Sequence, residues 1–172
     1  SGWSTGRVTD MHRMFSGASS FNGFLTWWNT GTVKSMFEMF RGASSFNGDL
    51  SEWDTSSVID MTGMFRDALK FNSELGGWST ANTQKMAFMF CNSSSFNGDV
   101  SKWETSSVTD MSSMFEGASS FNRDLSGWEM AKITDITDIF QGTTSLNQQM
   151  CWDIGVWVEG FSETYKDSPV LV

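Results

Sequence analysis

The chain has 172 residues, enough to bury one continuous core, and carries 20 Asp and Glu against 11 Lys and Arg for a net charge of −9. That balance repels phosphate backbones and anionic bilayers, and the basic residues are scattered, so neither nucleic-acid binding nor peripheral membrane attachment is expected. Aromatic residues make up 15% of the chain, which is too many for a disordered polymer.

No apolar run nears the roughly 20 residues that cross a bilayer, so no membrane insertion is expected. Ser1-Gly2-Trp3 is neither an initiator Met nor a leader with a basic stretch before an apolar one, and reads as the start of a mature protein or of a fragment. From Trp3 onward a 25-residue period organises everything: Trp3, Trp28, Trp53, Trp78, Trp103 and Trp128 begin six copies, with 1–151 as the repeat region. The fifth copy, WETSSVTDMSSMFEGASSFNRDLSG, is representative. Ten of the 12 Met and 11 of the 15 Phe fall in four of its columns, a regularity that a non-repetitive core does not produce.

Early in each of the first five copies comes a threonine column, Thr5, Thr30, Thr55, Thr80 and Thr105. Its bland role is to cap a following helix, and its sharper one is a hydroxyl row that matches ice. Val108, Met111, Met114, Phe115 and Ala118 then recur at spacings of three and four, which predicts a helix of two to three turns. Gly17, Gly42, Gly117 and Gly142 would close it in the left-handed conformation, as would Asn92, with Asp67 the poor match.

Residues 121–126 alternate in polarity and predict a brief strand. The expected fold class is therefore an α/β repeat solenoid, one short parallel strand and one short helix per repeat. The column Asn22, Asn47, Asn72, Asn97, Asn122 and Asn147 is expected to serve structure, its amides bonding the backbone of buried turns and the Asn above and below. The Trp column is expected to stack as a wall.

Asp49, Glu74, Asp99 and Asp124 share one position on the expected outer face, about 4.8 Å apart at strand spacing. They are the candidate binding face for a basic partner, and one carboxylate per layer is too sparse for calcium. Stacked like charges should also repel one another. The sixth copy decays: Ile136 and Ile139 replace Met, Leu146 replaces Phe, and the register slips by one before Trp152. Residues 152–172 read as a C-terminal cap, whereas the first layer has no matching cap and offers a surface for association. Cys91 and Cys151 lie about two layers apart, roughly 10 Å at strand spacing, and should not be bonded to each other.

The string V-T-D-M-x-x-M-F-x-G-A-x-S-F-N-x-D-L-S-x-W resembles the 25-residue bacterial surface protein repeat, grouped with the BspA-like leucine-rich repeats of mycoplasma surface lipoproteins and of protist and algal proteins. The resemblance runs from Trp3 to about Met150. It implies a leucine-rich-repeat-like right-handed coil displayed outside the cell or at its surface, used for adhesion or protein binding, with no catalytic residues and no cofactor.

The residues point the same way. The single His12 has no Cys near it in sequence, no glycine loop of a phosphate-binding type is present, and no metal-ligand spacing occurs, so enzymatic activity is not expected. Asn92-Ser93-Ser94 is the one glycosylation sequon, with Asn92 as its acceptor. The expected function is a non-enzymatic interaction or adhesion module that binds a protein or surface ligand. A linker subunit of a larger assembly is the alternative, and an ice-binding protein a further one.

Overall fold

In the computed structural model the described residues are 3–150 and Trp152. They form six stacked coils of 25 residues each, but not by the expected means. No helix occurs among the described residues, and the only β pairing is a line of isolated parallel bridges, Asp10 to Ser35, Ser35 to Asp60, Asp60 to Lys85, Lys85 to Asp110 and Asp110 to Asp135. The chain is neither an α/β repeat nor leucine-rich-repeat-like. The bridges fall just before the Met-x-x-Met-Phe stretch, and 121–126 holds no strand.

The stretch that looks helical is a run of consecutive turns. In the second coil the amides of Met36, Glu38, Phe40 and Gly42 donate forward to the carbonyls of Asp60, Thr62, Met64 and Arg66 in the next coil, at 2.7 to 2.9 Å. The amides of Met39, Arg41 and Ala43 between them donate back three residues, to Met36, Glu38 and Phe40. A helix would send every amide four residues back, whereas here alternate amides tie the coil to its neighbour.

Two residues per coil make this possible by taking positive φ, the condition for the third residue of a type II turn. One column is the expected one: Gly17, Gly42, Gly117 and Gly142 adopt it, and so do Asp67 (φ 60) and Asn92 (φ 58). The other, Arg13, Glu38, Gly63, Phe88, Ser113 and Asp138, was not foreseen, since five of its six residues pay about 1–2 kcal/mol for that conformation.

Turns with this alternation still bring residues three and four apart to one side. Val33, Met36, Met39, Phe40, Ala43, Phe46 and Leu50 are fully buried, as are their equivalents one repeat on. Phe15, Phe40, Phe65, Phe90, Phe115 and Phe140 stack coil on coil at 5.4 to 5.7 Å between centroids. Phe21, Phe46, Phe71, Phe96 and Phe121 form a second stack at 5.7 to 6.0 Å, where Leu146 continues the column as a buried residue. Each such pair contributes about 0.5–1.5 kcal/mol beyond its burial.

The Trp column runs alongside at 6.0 to 6.5 Å per step, from Trp3 through Trp128 to Trp152. Trp53, Trp78, Trp103 and Trp128 each donate the indole N–H to a carbonyl 28 residues earlier. Trp152 reaches 27 residues back, to Leu125 at 2.8 Å, so the one-residue slip is absorbed and Trp152 joins the stack. The rest of the expected cap, and Cys151, lie outside the described residues.

Candidate interaction face

The asparagine column forms a continuous ladder on the surface, not in buried turns. The side-chain Oδ1 of Asn22, Asn47, Asn72, Asn97 and Asn122 each accepts the backbone N–H of the Asn one coil later, at 2.7 to 2.9 Å. These residues are exposed or half-buried.

The threonines do the opposite. Thr30, Thr55, Thr80 and Thr105 are at most 1% exposed and donate their hydroxyls to the carbonyls of Asp54, Ser79, Glu104 and Glu129 in the next coil. Thr5 accepts the amide of Asn29. With no helix to cap, the column joins coils, and the row that an ice surface would need points into the molecule.

Asp49, Glu74 and Asp124 are exposed and Asp99 is half-buried, while Leu50, Leu75, Val100 and Leu125 beside them are buried. Each Asp holds a turn. Its Oδ1 accepts the amide two residues on, from Ser51, Ser101 or Ser126, at 2.8 to 2.9 Å. Those backbone bonds, with the seryl hydroxyls after them, hold the carboxyls of Asp49, Asp99 and Asp124 below the ordinary value. Glu74 instead accepts the amide of Asp99 at 3.1 Å. None of the four forms an ion pair among the described residues. A second row not singled out from sequence, Asp10, Asp60, Asp110 and Asp135, makes the same amide bond at the start of the turn run.

The remaining candidates lie apart from this face. His12 is exposed and contacts Asp10 at 3.3 Å. Cys91 is a buried, unbonded thiol whose pKa is pushed up to about 11, mainly by burial and then by the charge of Glu116. Asn92 is exposed, and its Nδ2 donates to Asp67 at 2.9 Å, a bond that a glycan on that nitrogen would have to displace. Among the described residues no group of three or more His, Cys, Asp or Glu is arranged to hold a metal ion, and no helix is long and apolar enough to cross a membrane.

Two residues of this surface were missed from sequence. Phe24 and Trp27 are 95% and 91% exposed, and with Trp3, Leu25 and Trp28 they line a cavity of about 350 Å³. Comparing each column for its odd member would have found them, since Phe24 stands in the column of Asp49, Glu74, Asp99 and Asp124.

The repeat that builds this geometry is matched over residues 1–96 and 74–168 by the model of a family described as Mycoplasma protein of unknown function, DUF285. The chain belongs to that family. Comparison with curated proteins and with solved structures finds no match. Membership accounts for the 25-residue repeat and carries no stated activity, so the surface residues themselves must carry any functional argument.

Proposed function

We propose that this chain is a non-enzymatic interaction module that binds a basic protein through the face carrying Asp49, Glu74, Asp99 and Asp124. The observation that carries this reading is that the four carboxylates of one column are held by backbone amides, three within their own turns and Glu74 from the next coil, and form no ion pair among the described residues. Their bonds fix where the charge sits without neutralising it. A row so held adds to a net charge of −9 and speeds the approach of a positively charged partner. Display outside the cell is part of the proposal and is supported by the likeness of the M-F and F-N repeat to bacterial surface proteins.

The test compares the parent with a variant carrying Asp49→Asn, Glu74→Gln, Asp99→Asn and Asp124→Asn, which keeps each turn acceptor and removes the charge. Association with a hexa-arginine peptide should slow in the variant, and the parent's advantage should shrink as salt is raised. Equal association rates at low salt would overturn the reading.

A further inference from the structure

Phe24 and Trp27 are the two most exposed large apolar residues of the described chain. Their position in the first coil does not account for that. In the second to fifth coils the same two columns hold Asp49, Glu74, Asp99 and Asp124, and Glu52, Gly77, Lys102 and Gly127, and all but the half-buried Asp99 are exposed although a coil lies on either side. Both columns therefore face sideways, where stacking never covers them. Two large aromatic side chains facing water at positions that elsewhere take Asp, Glu, Gln, Gly or Lys call for a ligand.

The surroundings indicate its charge. Thr26, between the two aromatics, contacts the Asp49 carbonyl at 3.5 Å, which sets their segment beside that of Asp49 and Glu52. From Gly42 to Phe65 there is no Lys or Arg, while Asp49, Glu52, Asp54 and Asp60 all lie there. Farther along the same face Asp99 has Arg123 and Lys102 as favourable charges, whereas no cation acts on the carboxylate of Asp49 beside the aromatics. An indole face next to free carboxylates suits a guanidinium, which stacks on the ring while its N–H groups bond the carboxylates, better than it suits a compact ammonium.

We propose that Phe24 and Trp27, with Asp49 and Glu52, form the anchor point of the interaction face, a site for an arginine side chain on a basic segment of a partner protein. This rests on the proposed binding of a basic partner and adds where on the face it is gripped and by which residue type.

The test titrates hexa-arginine and hexa-lysine peptides into the whole chain at low salt, with parent and Phe24→Asp/Trp27→Glu proteins. That variant installs the residues that the second coil carries at the same positions, and Trp27→Gly, after Gly77 and Gly127, is a second one the fold already accommodates. The parent should prefer arginine, and hexa-arginine affinity should fall about tenfold in both variants, with the preference lost. Charge alone requires the opposite for Phe24→Asp/Trp27→Glu, which gains two carboxylates. Tighter or unchanged binding there overturns the anchor while leaving the carboxylate face standing, and failure of both peptides to bind the parent overturns both proposals. Binding of cellohexaose, or self-association of the parent, that the variants abolish without an arginine preference would assign the aromatics to a sugar or to a second copy, and would overturn the anchor too.

Discussion

Trp78 donates its indole N–H to the carbonyl of Leu50 at 3.0 Å, across 28 residues and between two coils, while its ring lies between those of Trp53 and Trp103. The Leu50 side chain is buried and the Trp78 side chain is 4% exposed, so water has little access to a carbonyl left without its partner. Trp78→Phe should therefore cost about 2–4 kcal/mol, combining a lost bond, an orphaned acceptor and a smaller ring. Trp3→Phe, at a residue 71% exposed, should stay within about 0.5 kcal/mol. Urea unfolding of both variants checks the contrast, and equal losses would refute the assignment.

The asparagine ladder lies in water's reach, so its bonds should matter less. Asn72 Oδ1 accepts the Asn97 amide at 2.7 Å. Asn72→Ala should destabilise by about 1 kcal/mol. At neutral pH Asn72→Asp, which keeps an acceptor in place, should cost less than half as much, and the same unfolding experiment measures the difference.

Backbone conformation gives a third expectation. Gly42 has φ 68, and a Cβ there would meet Gly17 at an ordinary 3.7 Å. Space is available, and only the torsion discriminates. Gly42→Asn should be tolerated, because Asn92 occupies the same position of the fourth coil at φ 58. Gly42→Val should cost about 2 kcal/mol or more, since a β-branched side chain is least at ease with positive φ. A Val variant as stable as the Asn variant in thermal unfolding would show that the torsion relaxes.

Acid should weaken the stack. The seryl bonds hold Asp49, Asp54, Asp99 and Asp124 below their ordinary 3.8 in the folded protein. Folded values lower than unfolded ones mean that the stabilisation is complete above about pH 4 and is lost as pH falls through the folded values. The unfolding midpoint should drop on acidification below that point. It should drop less steeply in the Asp49→Asn/Asp99→Asn/Asp124→Asn protein, which has fewer such groups to protonate.

Repetition made the stack legible in advance, because Met, Phe and Trp columns at a fixed spacing admit few arrangements other than like upon like. The local conformation was not legible. Apolar residues three and four apart suit a helix, and they suit equally a run of turns whose alternate amides leave the coil. What decides between the two is positive φ at Arg13, Glu38, Phe88, Ser113 and Asp138, residue types that do not advertise it; Gly63 alone in that column hints at the truth. The conformation goes together with bonds between neighbouring coils, which the spacing within one repeat does not show.

For the candidate face, the outward placement of Asp49 and Glu74 was readable from their neighbours Leu50 and Leu75. The service that Asp49, Asp99 and Asp124 give to their own turns lies in the Asp-x-Ser spacing and was open to the same reading. Phe24 and Trp27 went unseen because attention to a consensus passes over the members that break it.

The alternation of amide partners, one to its own turn and the next to the following coil, has a bearing on how such chains vary. The junctions reuse the same atoms, chiefly at offsets of 24, 25, 26 and 28 residues, with Trp152 at 27. Removing or duplicating one whole unit recreates those offsets, whereas adding a single residue inside a coil shifts every bond that spans it, as the one-residue slip shifts that of Trp152. Recombination between the near-identical copies is therefore structurally silent when it moves in steps of one unit, and the reach of the molecule can change without any new packing problem having to be solved.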